Sequence, residues 1–151
     1  MKPKKVALGC DHGGFELKEK VSAFLSEAGY EVLDFGTFSN DSMDYPDTAY
    51  KAASAVARHK AAYGILICKS GIGNSIVANK VKGIRAALCY NIKAAQLSRL
   101  HNDANMLVFG SLFVKAETAK KMISVWLNTP FEGGRHLRRI EKIERIEKRC
   151  R

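Results

Sequence analysis

Short apolar runs alternate along the chain with stretches whose apolar residues recur every three or four positions. Val6–Cys10 reads as a buried strand, and Leu17, Val21, Phe24, Leu25 and Ala28 then share one helical face that Gly29 closes. Residues 30–35 alternate as a second strand. The Gly/Ser/Asn/Asp stretch 36–44 is a loop, and Pro46 suits the first turn of a helix to about His59. Tyr63–Cys68 forms a third strand, followed by a glycine-rich turn and a helix from about Asn74. Residues 85–89 and 105–109 are strands four and five, with Ile92–Leu100 helical between them. Ala116, Ala119, Ile123 and Trp126 mark another helix. A last one, over about 133–148, carries Leu137, Ile140, Ile143 and Ile146 as a narrow apolar stripe suited to packing on another subunit.

Strand–helix alternation of this kind predicts right-handed crossovers and a parallel sheet covered on both faces. The expected fold is α/β, a Rossmann-like three-layer αβα sandwich with a five-stranded parallel sheet and a C-terminal helix. One domain over 1–151 is expected. In such sheets ligands bind beyond the carboxyl ends of the strands, near the point where strand order reverses. Candidate chemistry is therefore expected directly after strands, at Cys10-Asp11-His12, Cys68-Lys69-Ser70-Gly71, Cys89-Tyr90-Asn91 and Phe109-Gly110-Ser111.

Composition narrows the partners. A net charge of +10 raises nucleic acid as a partner. Residues 135–151 alone hold eight Lys/Arg against three Glu, however, and no aromatic-basic interleaving offers a stacking surface. Neither nucleic acid nor a membrane is expected. Four cysteines without CxxC pairing, and a start too short for a signal-peptide core, point to free thiols in the cytoplasm.

The sharpest constellation is Cys68-Lys-Ser-Gly-Ile-Gly-Asn-Ser75: a thiol at a strand end, then a turn feeding a helix N-terminus. Unpaired N–H groups there favour negative charge and are expected to lower the thiol pKa. The same N–H groups can hold an oxyanion. A buried strand-end cysteine over an ordinary turn accounts equally well for these residues taken alone. A phosphatase loop would need Arg where Asn74 stands, and a dinucleotide loop would need Gly where Ile76 stands. Asp11-His12 reads either as a cap and a surface histidine or as an acid/base or phosphate-contacting pair. His101-Asn102 precedes a turn, and Arg135 and Arg139, four apart on one helix face, suit a phosphate or a solvated basic face. A zinc site from Cys10, His12, Cys68 and His101 lacks short-range ligand spacing and is not expected.

Several stretches in order resemble the ribose/galactose isomerase family, in its ribose-5-phosphate isomerase type B branch: GCDHGGFELK, DYPD at 44–47, ILICKSGIGNSI, KGIRAALC, AAQLSRLHNDANML and PFEGGRHLRRI. The resemblance implies aldose–ketose isomerisation of ribose 5-phosphate and ribulose 5-phosphate through a cis-enediolate, without metal or other cofactor. It implies Cys68 as base and His101 as ring-opening acid, with Asp11 assisting. Ser70 and the backbone of Lys69, Gly71, Ile72 and Gly73 become the oxyanion cradle, followed by Asn74. Asn102 would contact substrate oxygens, His12, Arg135 and Arg139 the phosphate, and Tyr45 the pocket wall. Family sites lie between two subunits of a dimer or dimer of dimers. Hexose 6-phosphates and a non-catalytic sugar-phosphate module are the alternatives.

Two residues depart from the family pattern: Lys69 replaces a usual glycine, and Leu112 stands where an additional Arg often reaches the phosphate. Should Lys69 require a positive φ, its turn is strained. Its ammonium is expected to acidify Cys68.

Overall fold

The computed structural model describes residues 2–150. Its elements are β1 (Lys5–Cys10), α1 (Phe15–Glu27), β2 (Glu31–Asp34), α2 (Tyr45–Ala57), β3 (Tyr63–Cys68), α3 (Ile72–Asn79), β4 (Ala86–Leu88), α4 (Ile92–Asn102), β5 (Met106–Gly110), α5 (Ala116–Asn128) and α6 (Arg135–Arg149). All strand pairings are parallel, in the order β2-β1-β3-β5-β4. The expected three-layer α/β architecture is the observed one.

Period-two alternation within each central strand sends side chains into two cores. Val6, Leu8, Ile65, Ile67, Leu107 and Phe109 pack under α1, α4 and α5, around Val21, Leu25, Ile123 and the fully buried Trp126. Ala7, Leu66, Met106 and Val108 face α2 and α3. Small residues dominate there: Ala49, Ala52 and Ala53 let α2 approach β1 closely. Van der Waals contact across both layers fixes the strand ends that carry the chemistry.

Strand order reverses between β1 and β3, because α1 leads to β2 on one side of β1 while α2 crosses back to β3 on the other. Cys10 pairs with Ile67, and Cys68 with Gly110, so both cysteines open at the carboxyl edge beside that reversal.

Several boundaries differ from the sequence expectation. β2 stops at Asp34, whose carboxylate accepts the Gly36 N–H at 2.9 Å and turns the chain. The third helix begins at Ile72, two residues before Asn74, because Gly71 at φ 88° caps it. β4 shortens to three residues at the sheet edge, where it has one partner strand. On α6 only Ile140 of the predicted stripe is buried; Leu137, Ile143 and Ile146 are exposed. No helix among the described residues is long and apolar enough to cross a membrane.

A buried charge escaped the sequence reading. Lys18 on α1 is fully buried, its ammonium 2.7 Å from Asp34 and 2.8 Å from Glu19. The pair ties α1 to the end of β2, directly behind the loop that follows β1.

Candidate active site

Three loops converge at the carboxyl edge. The Cys68 side chain ends β3 almost fully buried, and its Sγ accepts the Gly71 N–H at 3.1 Å. That geometry needs Gly71: a Cβ there would lie 2.7 Å from a Leu88 methyl and 2.9 Å from the Phe109 carbonyl carbon. The left-handed φ of 88° adds to the requirement. Ser70 Oγ accepts the Ile72 N–H at 3.2 Å, so its own proton stays free for a ligand oxygen.

The loop after β1 packs against this turn. A Cβ on Gly13 would meet the Lys69 Cβ at 3.2 Å. Asp11 is buried and accepts the Gly14 N–H at 3.1 Å, and His12 Nδ1 accepts the Met43 N–H at 3.2 Å. Tyr45, at the start of α2, lays its ring in the space a side chain at Gly73 would fill. Ser111 closes the third side, donating its hydroxyl to the Gly13 carbonyl at 2.7 Å and its N–H to the Cys68 carbonyl at 2.9 Å. Asp11, His12, Tyr45, Cys68, Lys69, Ser70, Gly71, Ile72, Gly73 and Asn74 thus form one neighbourhood. Beside it, a cleft of about 890 Å³ runs past His12, Lys20, Ser111 and Lys115.

Asn74 is the most telling member. It is 1 % exposed, and neither its amide oxygen nor its amide nitrogen has a partner. A buried polar atom without a partner costs about 1–3 kcal/mol, so this amide awaits a ligand or water.

Electrostatics here correct one expectation. Burial pushes the Cys68 thiol up from its ordinary value, and the N–H groups of Gly71, Asn74 and Ser70 only pull part of the way back; the Asp11 carboxylate pushes it up further. The eight-residue α3 does not outweigh burial. Lys69 is not among the largest of these causes, and its φ is not positive, so the turn carries no strain of the kind a left-handed lysine would bring.

The other predicted residues lie elsewhere. α4 runs from the carboxyl edge to the amino edge, where Asp103 at φ 45° ends it, so His101 and Asn102 sit before β5 instead of after a strand. The Glu132 N–H donates to the Leu100 carbonyl at 3.1 Å, bringing the chain after α5 back to the same corner. There the His101 and His136 rings stack with centroids 4.3 Å apart, and α6 carries Arg135 and Arg139 beside them. Within one chain, Cys68 and His12 therefore occupy one edge of the sheet, and His101, Asn102, Arg135 and Arg139 the other. Glu132 and His136 were missed, though the motif containing them was noted; their i,i+4 spacing next to Arg135 was the available signal.

The Ribose/Galactose Isomerase family matches residues 6–143.

The chain belongs to the ribose/galactose isomerase family.

It is 52 % identical to ribose-5-phosphate isomerase B of Escherichia coli K12 over 146 residues, covering 97 % of this chain and 98 % of that one. It is 40 % identical to a D-erythrulose-4-phosphate isomerase of Pectobacterium atrosepticum, covering 91 % of each. The solved ribose-5-phosphate isomerase B of Clostridium thermocellum superposes with a TM-score of 0.96 at 49 % identity, covering 97 % of this chain and 99 % of that one. As a member of this isomerase family, the chain is an aldose–ketose isomerase.

Proposed function

We propose that the enzyme interconverts ribose 5-phosphate and ribulose 5-phosphate through a cis-enediolate, with Cys68 as the base. The observation that carries this reading is the buried Cys68 Sγ under the Gly71 N–H, next to the unpartnered Asn74 amide. A thiolate there removes the proton from C2 of the open-chain aldose, and the electron pair moves into the C1–C2 bond while negative charge grows on O1. The Ser70 hydroxyl and the N–H groups of the 69–73 turn that remain unengaged are assigned to that charge, the Gly71 and Ile72 N–H groups already donating to Cys68 Sγ and Ser70 Oγ. Fixed dipoles of this kind stabilise an enediolate more than they stabilise the neutral aldehyde, which is what lowers a barrier. The sulfur then returns its proton to C1 while the O2 proton passes to O1, leaving the ketone at C2 and the hydroxyl at C1.

Ring opening needs an acid on the ring oxygen and a base on the anomeric hydroxyl, roles assigned to His101 and Asp11. Because His101 lies at the far edge of the same chain, a second copy supplies it, with Asn102, Arg135 and Arg139 reaching the substrate hydroxyls and the phosphate held by His12. Exposed Ile72 and Ile76 around the Cys68 turn, and the exposed stripe of α6, are apolar surface of the kind such an interface covers.

The test is purified protein in EDTA with ribose 5-phosphate, followed by the appearance of ribulose 5-phosphate. Solvent deuterium should enter product carbon, and Cys68→Ala should lower turnover by ~10²–10⁴ while still binding substrate. Allose 6-phosphate, galactose 6-phosphate and erythrulose 4-phosphate belong in the same assay. A higher kcat/KM on any of them would replace the pentose assignment.

A further inference from the structure

His101 has neighbours that the isomerisation does not use. Among the described residues, His101, Glu132 and His136 are the one group of three His, Cys, Asp or Glu side chains whose ligating atoms all lie within 4.8 Å of one another. Both imidazole Nε2 atoms stand 3.8 Å from the same oxygen, Glu132 Oε2. That is too long for a hydrogen bond. His136 is 4 % exposed and its Nε2 has no partner at all. Burial, then His101, Arg135 and Arg139, hold its imidazole toward the neutral form, against the pull of Glu132. A shielded neutral imidazole with an unused nitrogen is ready to ligate.

We propose that His101, Glu132 and His136 form an inhibitory site for a divalent transition ion of the zinc class, which captures the acid that opens the sugar ring. The inhibition rests on the assignment of His101 as that acid; the binding does not. Two imidazoles and one carboxylate are a ligand set zinc accepts, leaving a fourth position for water. Bonds of ~2.0–2.2 Å around a tetrahedral ion put donors roughly 3.3–3.5 Å apart, so each 3.8 Å gap closes by only about 0.4 Å. The stacked rings must adjust, because planes only 13° apart cannot both aim an in-plane lone pair at one ion. His101 is the ring that turns, its side chain being 39 % exposed against 5 % for His136. Turning it, and coordinating its Nε2, removes both the orientation and the proton that ring opening requires.

The test titrates zinc chloride into metal-free enzyme acting on ribose 5-phosphate. One ion per chain should abolish turnover, EDTA should restore it, and Glu132→Gln and His136→Asn should each raise the inhibitory zinc concentration about tenfold or more. Should His136→Asn fail to fold, the exposed Glu132→Gln carries the comparison. Cobalt(II) supplies a readout independent of turnover. Its d–d bands should appear without a sulfur charge-transfer band and should be lost in Glu132→Gln. Absence of inhibition, equal inhibition of parent and variants, or a charge-transfer band abolished by Cys68→Ala would overturn the proposal. Cobalt bound at the histidines of a protein inert toward ribose 5-phosphate would instead leave the site standing and remove the ribose 5-phosphate assignment.

Discussion

Cys68→Ala and His101→Ala should rescue one another when mixed. The reasoning is geometric. His101 is the tenth of eleven residues in α4, which spans the sheet from its carboxyl to its amino edge, so at 1.5 Å per residue it lies about 13–14 Å along the helix from Ile92, which starts at the edge that carries Cys68. A catalytic acid and base serving one sugar must each come within about 3 Å of it. No side-chain rotation closes that gap inside one chain. With sites shared across a two-fold dimer, a mixed dimer contains one site with both residues intact and one with neither. Random reassortment of equal amounts therefore restores about one site in four, and dimers selected by two different affinity tags about one in two. Each variant alone should lose ~10²–10⁴ in rate on ring-closed ribose 5-phosphate. The assay is ribulose 5-phosphate formation after co-refolding, with mixed dimers verified by tandem purification. Verified mixed dimers no faster than either parent would refute the shared site. So would full activity in a sedimenting monomer.

Deprotonation of a thiol held above its ordinary pKa makes kcat/KM rise with pH through the alkaline side of neutrality, because the thiolate is the active form. Asp11 raises that pKa, so Asp11→Asn should move the rising limb, and the pH dependence of Cys68 alkylation, to lower pH. Gly71→Ala combines a positive φ with a Cβ driven into Leu88 and Phe109; a loss of roughly 2 kcal/mol or more in urea unfolding is expected, along with most of the activity. Asp34→Ala leaves the buried Lys18 ammonium with only the half-exposed Glu19 and should cost about 3 kcal/mol, whereas Lys18→Met, which removes the charge itself, should cost far less. Equal costs would show that the pair is not the reason Asp34 matters.

Much of the carboxyl-edge site was legible from order alone. A strand ending in Cys68 and a glycine turn entering a helix must, in a parallel sheet, open at the same edge as the loop that follows β1. Gly71 and Gly73 proved to be glycine for reasons of space that the sequence only hinted at. The thiol pKa was misjudged because it depends on burial from every side. Helix-terminus logic alone sees only the favourable N–H groups. Lys18 was invisible for a similar reason: its partner Asp34 is sixteen residues away, and nothing local distinguishes a buried lysine from a solvated one.

Local periodicity determined the strands, the helices and the α/β class, because each depends on which side chains of a short segment can be buried together. The order β2-β1-β3-β5-β4 and the separation of Cys68 from His101 were decided only in three dimensions. Both follow from packing: β5 inserts between β3 and β4, and α4 then delivers its last turn to the edge opposite the thiol. Residues here assigned to one substrate are thereby placed on opposite rims of the chain.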